Sequence, residues 1–232
     1  MISTNKVVKS KKNIREIAMF GFFLILVLLF LIKSIWTISG SNQWKLVKDK
    51  NGIKIYTIKT PGSPLLRVKS VNQVHASLSG LVKLIEAPES CDDVGCFDSK
   101  RIEDINSQTA YCTFKFKMPP PFKAREYVNI LQHSQNPENK KIEIHIIAAP
   151  NKINRNDKCI RIEHMHNIWN LTPLNNGIVE IEYLQDINLG GAMPFFLTNL
   201  ILPEVGYKVL DGLQGLMDKE KYKAAKLDYV ID

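Results

Sequence analysis

The segment CIRIEHMH, residues 159–166, sets Glu163, His164 and His166 side by side, with His145 one predicted strand away. Imidazoles and carboxylates are the usual ligands of zinc and the usual acids and bases near neutral pH. On an alternating strand, however, His164 and His166 share one face and Glu163 takes the other, so only two ligands converge. That is short of a zinc site, and no metal is expected. His164 and His166 extend the face of Ile160 and Ile162, which makes them expected polar anchors on an apolar wall.

Arg125 and Glu126 offer a second acid–base pair. Neighbours on a strand point to opposite faces, so the two cannot act on one substrate, and Arg125 is expected to hold a sheet rim or loop by hydrogen bonds. No Ser/His/Asp order, phosphate-cradling glycine loop or dinucleotide fingerprint is visible, so neither catalytic residues nor a cofactor are expected. Cys91 and Cys96 stand in ESCDDVGC, a polar loop with a glycine. They suit a short disulfide if the domain faces an oxidising compartment and two thiols if it does not; their spacing completes no zinc site. Cys112 and Cys159 fall inside strand patterns and read as small core residues. Asn170-Leu171-Thr172 matches a glycosylation sequon, but as a chance match within a strand.

The chain that must position these side chains has 232 residues and two characters. Residues 1–16 carry Lys6, Lys9, Lys11, Lys12 and Arg15 against one acid, Glu16, and residues 17–32 carry no charge. As a helix, residues 17–38 span about 33 Å, enough for a ~30 Å hydrocarbon core, with Lys33 able to snorkel and Trp36 at interface depth. The division is a basic tail over 1–16, a transmembrane signal anchor over 17–38 and one folded domain over 42–222. FGFFLILVLLFLI has no polar face, which argues against a buried helix in a soluble domain of this size. A cleaved signal peptide, and with it secretion, is the alternative, although only Thr37-Ile38-Ser39 stands where a small-residue cleavage site belongs. Basic residues ahead of the apolar run favour a cytoplasmic N-terminus, with the domain across the membrane. Much of the basic excess behind the net charge of +8 lies in the tail, and no RNA-binding aromatic motif or basic helix appears, so nucleic acid is not an expected partner. Nothing in the sequence sets an oligomeric state.

Beyond the anchor, DKNG at 49–52 is a turn joining two strands, and a third strand follows over 65–74. A helix fits 77–87, with Ser77 as N-cap, Leu78, Leu81, Val82 and Ile85 on one face, and Pro88 as its stop. Further strands are expected over 100–105, 109–118, 125–133, 141–147, 159–166, 168–171 and 177–183. Cys112, Phe114, Phe116 and Met118 alternate with Thr113, Lys115 and Lys117, while Ile142, Ile144, Ile146, Val179, Ile181 and Tyr183 alternate with glutamates. A long helix over 194–221 carries Leu197, Ile201, Val205, Val209, Leu213 and Met217 as an i, i+4 stripe, with a kink expected at Pro203.

The expected class is therefore α+β, a curved antiparallel sheet wrapped around one long C-terminal helix. One helix cannot fill a strongly curved sheet, so a cavity is expected between Phe114, Phe116, Ile144, Ile146, Ile181 and Tyr183 on the sheet and the stripe Leu197, Ile201, Val205 and Val209. In PPPFKAREYV, Pro119, Pro120 and Pro121 lack an N–H and fix φ, so with Phe122 they form a stiff connection at a sheet end.

With these landmarks the chain resembles a START domain, the steroidogenic-acute-regulatory-protein-related lipid-transfer family, over about residues 42–220. The resemblance rests on WKLVKDKNGIKIY, PPPFKAREYV, CIRIEHMHNIWNLTPL and QDINLGGAMPFFLTNL in that order, the last with Gly-x-x-Pro followed by Asn five residues on. It implies the helix-grip fold, a lipid or other hydrophobic small molecule held between sheet and last helix, a non-enzymatic binding or transfer role, and the membrane as partner. The bacterial secreted or membrane-anchored kind is most similar; it often has a cysteine pair where Cys91 and Cys96 stand, which implies an inner-membrane protein with a periplasmic domain. In that family the loop at residues 119–124 closes one end of the cavity. The acid–arginine pair of sterol-binding members is missing: Leu131 stands at the arginine, Cys112–Thr113 near the acid, and Asn188 replaces the usual Asp before Gly-Gly. An enzyme of polyketide cyclase or aromatase type on the same broad fold is the alternative, for which His164 and His166 are the candidate polar groups. An interaction module with a collapsed core is a third reading.

Overall fold

The computed structural model describes residues 3–232, with side chains from Ile14 onward. Lys6, Lys9, Lys11 and Lys12 of the basic tail lie outside the described side chains. Helix α1 (Ser3–Ile38) contains one stretch, Ile14–Ile38, that is long and apolar enough to cross a membrane. The chain divides into two units: the first, up to Asn42, holds α1 with Thr60–Pro64; the second comprises Gln43–Lys59 and Leu65–Asp232.

The second unit is built on strands β1 (Lys45–Lys50), β2 (Ile53–Lys59), β3 (Leu66–His75), β4 (Cys96–Asn106), β5 (Thr109–Phe116), β6 (Arg125–Gln135), β7 (Ile142–Ala148), β8 (Ile160–Arg161), β9 (His164–Pro173), β10 (Ile178–Gln185) and β11 (Ile187–Asn188). The main sheet runs β1-β2-β3-β10-β9-β7-β6-β5-β4, with every neighbouring pair antiparallel. β8 lies parallel beside β6, and β11 pairs with β9. Asn51 and Gly52 take positive φ in the β1–β2 turn, a conformation that asparagine and glycine adopt most readily.

Between β3 and β4 stands α2 (Leu78–Glu86), where the Ser77 hydroxyl accepts from the Gly80 N–H at 3.0 Å. That cap satisfies one of the free donors of the first turn. Leu78, Leu81, Val82 and Leu84 are buried, and a 3-10 turn, Pro88–Val94, follows; Cys91 and Cys96 are joined, with their Cα atoms 5.0 Å apart.

The single helix expected over 194–221 is three pieces: α3 (Phe195–Asp211), α4 (Leu213–Met217) and α5 (Glu220–Lys223). Pro203 is accommodated inside α3, and the break comes at Gly212, where the weak helix preference of glycine outweighs continuation. Ile55, Val68, Ile144, Leu171, Ile181 and Leu210 are among the residues that close the core between sheet and helices. After α5 the chain returns to the strand ends: the Gln135 amide exchanges two hydrogen bonds with the Ile231 backbone, and the Tyr229 hydroxyl donates to Glu86.

Candidate functional site

Cross-strand register defines the face of the sheet that looks toward α3. Phe114 sits opposite Tyr127, Leu131 opposite Ile146, Ile144 opposite Trp169, and Trp169 opposite Tyr183. Phe114 stacks on Tyr127 at 4.9 Å, and Phe116 meets the two rings edge-on at 5.8 and 5.7 Å. Trp169 stacks on Tyr183 at 4.0 Å, and the Tyr183 hydroxyl accepts from Asn167 at 3.1 Å. Burial raises the Tyr183 phenol well above its ordinary range and that of Tyr127 to about 12, so both stay neutral.

Helix α3 packs on β2, β3 and β10. Gly206 sets how close it comes: a Cβ there would stand 2.4 Å from Ser70 Oγ and 2.8 Å from Gln185 Oε1. The other side of the same sheet face is less covered. Phe114, Phe116, Ile146 and Ala148 point inward on β5 and β7 yet remain only half-buried, whereas Ile144 and Ile181 are sealed.

Two sets of residues lie elsewhere than their spacing predicts. His164 and His166 are on the outer face. Ile162 and Glu163 separate β8 from β9, and across that break the alternation shifts by one, so Met165, Asn167, Trp169 and Leu171 turn inward. One extra residue reverses every side chain that follows. Outside, His166 shares a hydrogen bond of 2.8 Å with His145, which also bonds Glu143, and His164 bonds Asp186 at 2.9 Å. Burial and the neighbouring His145 both lower the His166 pKa. Among the described residues no three His, Cys, Asp or Glu side chains gather as a metal site.

The second set is the helix stripe. Val205 is 38% exposed, and Leu197, Ile201 and Val209 are half-buried at the flank; the sealed face of α3 is Thr198, Leu202, Gly206 and Leu210. The sealed ladder repeats every four residues just as the apolar stripe does, but one position later, and at about 100° per residue that offset turns the stripe away from the sheet.

Pro119, Pro120 and Pro121 are exposed in the β5–β6 connection, while Phe122 packs on the core and its N–H bonds the Pro119 carbonyl at 3.1 Å. Arg125, 1% exposed, fastens this loop to the turn ahead of α3, donating to the carbonyls of Lys123, Leu189 and Gly190. Desolvation lowers its pKa, and the three carbonyls supply its bonds. Glu126, on the opposite face, pairs with Arg161, which also ties down the carbonyls of Pro150, Ile153 and Asn154.

Spacing arguments did not single out two inward polar groups of β6. Asn129 is fully buried, with neither amide atom bonded to protein; His133 bonds Glu86 through Nδ1 at 2.9 Å and leaves Nε2 unpaired. The signal was there, since Tyr127, Asn129, Leu131 and His133 keep one alternation. Nor does the sequence reveal a cleft of about 790 Å³ at the opposite strand ends, bordered by His75, Leu174, Met217, Tyr222 and Asp232.

A sheet of this order closed by a C-terminal helix is the helix-grip fold of the START domains, and the second unit has that fold. Among solved structures it is similar to a fragment of the STAR-related lipid transfer protein from Xanthomonas axonopodis, at 22% identity over 76% of this chain and 99% of that one, with a TM-score of 0.70. Human STARD10 superimposes with a TM-score of 0.70 at 13% identity, covering 81% and 77% of the two chains. For human StAR-related lipid transfer protein 5 the score is 0.67, again at 13% identity, over 86% and 97%. In sequence, an uncharacterized protein of Pseudomonas aeruginosa is 26% identical over 181 residues, 77% of this chain and 89% of its own. No family model matches the chain.

Proposed function

We propose that the second unit takes a lipid or similar hydrophobic molecule into the space beside α3, over β5, β6 and β7, and carries or senses it. The observation behind this reading is the uneven cover of the sheet: α3 lies on β2, β3 and β10, while inward-facing Phe114, Phe116, Ile146 and Ala148 keep accessible surface. Apolar side chains left accessible on a concave face favour an apolar occupant, at about 25 cal/mol per Å². The relatives described as lipid transfer proteins share the fold. The loop at 119–122 is the lip of the chamber, and Arg125 is its fastening.

In the same reading α1 anchors the protein to the membrane, with the domain on the periplasmic side of a bacterial inner membrane. The basic residues ahead of the apolar stretch and the Cys91–Cys96 bond both favour that side. Organic extraction of the purified full chain should yield about one lipid per protein. Ile146→Trp should fold, fill the chamber and lose the lipid. An empty extract from the parent, or unchanged uptake by the variant, sinks the proposal.

His133 supports a second reading. An imidazole oriented by a buried carboxylate, with its other nitrogen unpaired, is the arrangement of a general base, which an enzyme of cyclase type would need. A modified product in place of an intact lipid in the same extract would favour it.

A further inference from the structure

We propose that the chamber selects an uncharged, oxygen-bearing head group, such as a hydroxyl or a protonated carboxyl, and that Asn129 and Tyr127 on β6 are the residues that bind it. This rests on the lipid-enclosing reading above and adds the chemistry of the bound end.

The argument starts from what is left unpaired. Asn129 is 0% exposed, and both its Oδ1 and its Nδ2 lack a partner in the protein. A buried polar group without a partner costs about 1–3 kcal/mol, so an amide orphaned at both atoms is retained against a real penalty. Cys112 stands opposite it on one side and Ala148 on the other, two small side chains flanking an amide that is sealed in this structure and that a head group would reach by displacing the side chains above it. Tyr127, two residues earlier on the same face, lies about 6.6 Å along the strand. Its hydroxyl makes no hydrogen bond to a described residue, and it remains a neutral donor.

A carboxamide offers one donor and one acceptor. A hydroxyl or a neutral carboxyl satisfies both at once, whereas a phosphate ester or a carboxylate accepts only and leaves Oδ1 facing negative charge. Charge points the same way. Of the residues that alternate inward on β3, β5, β6, β7, β9 and β10, Arg125 alone is permanently charged, and its guanidinium is committed to three carbonyls. His133 is bound to Glu86, so that pair brings no free cation. On β4, Arg101 stands opposite Cys112 but is paired with Asp104, so a buried anion here would find no uncommitted counter-charge to offset its desolvation.

The test is competition between oleyl alcohol and oleyl phosphate, which differ only in the phosphate. The full chain in nonionic detergent is incubated with an equimolar mixture, and the bound species are counted by native mass spectrometry. The parent should retain the alcohol at least tenfold over the phosphate. Asn129→Leu and, independently, Tyr127→Phe should each bring that ratio at least fivefold closer to unity. Asn129→Leu should also melt no lower than the parent, because it removes an unpaired amide. Equal or better retention of the phosphate by the parent overturns the inference, as does an unchanged preference in both variants. If the parent retains neither compound, the enclosure reading itself fails.

Discussion

Replacing Gly206 by alanine sets two opposing effects of known size against each other. In an exposed helix interior, Gly→Ala stabilises by about 0.8–1 kcal/mol. At this position the new Cβ would stand 2.4 Å from Ser70 Oγ and 2.8 Å from Gln185 Oε1, both on buried residues of the sheet. Overpacking of that kind costs about 1–3 kcal/mol. The net expectation is a loss of up to about 2 kcal/mol in place of a gain. Ser70→Ala alone should be near neutral, because it removes a buried hydroxyl that has no partner. Combined, the two changes should return stability to the parent's level or slightly above, since only the movable amide end of Gln185 remains in the way. Urea unfolding of the four full-length proteins gives the coupling energy, expected at 1 kcal/mol or more. If Gly206→Ala stabilises by its full helix propensity and the pair adds within about 0.5 kcal/mol, α3 does not approach β3 as closely as described.

Arg125→Met removes three charge-assisted bonds to the carbonyls of Lys123, Leu189 and Gly190. At about 1.5 kcal/mol each, the loss should be roughly 3–5 kcal/mol in urea unfolding, with faster amide exchange over 189–195; a loss below about 1 kcal/mol contradicts the clamp. Asp93 is held well below its ordinary pKa by Lys219, Lys221 and Tyr222, in that order. A carboxylate depressed in the folded state stabilises above its unfolded pKa, near 3.9, and that contribution fades as pH falls below it. The melting temperature of the parent should therefore drop more steeply than that of Asp93→Asn between pH 4 and pH 2.5, and parallel curves would refute the pairing. The lowered pKa of His166 means that, just below pH 6.5, the unfolded chain binds a proton the folded one resists. Stability should fall as pH drops through that value, and His166→Gln should flatten the profile; an equal slope in the variant would show that this imidazole is not responsible.

Local chemistry was legible in the sequence. The DKNG turn, the Ser77 cap and the alternation of β5, β7 and β10 follow from rules that act within a few residues. So did the order of elements that makes a helix-grip fold. What could not be read was phase and partnership. A break at Ile162–Glu163 that shifts the alternation by one residue puts His164 and His166 on the outer face, and no composition signal marks such a break. On α3 the buried ladder Thr198, Leu202, Gly206 and Leu210 lies one position beyond the apolar stripe, and its threonine and glycine carry no apolar signal in the sequence. Glu86 meets His133 across most of two elements, and a long-range pair of that sort leaves no trace in spacing.

The place of β10 in the sheet has a consequence for biosynthesis. β3 pairs with β10, whereas the intervening strands β4, β5, β6, β7 and β9 find partners among themselves. A chain emerging from its N-terminus can therefore complete the β1-β2-β3 hairpins and the second block separately, but the two are stitched together only when residues 178–185 arrive. Until then β3 presents an unpaired edge carrying Val68, Val71 and Val74, the kind of surface that recruits stray strands. The β3–β10 seam is therefore where a stalled or shortened chain is most open to aggregation.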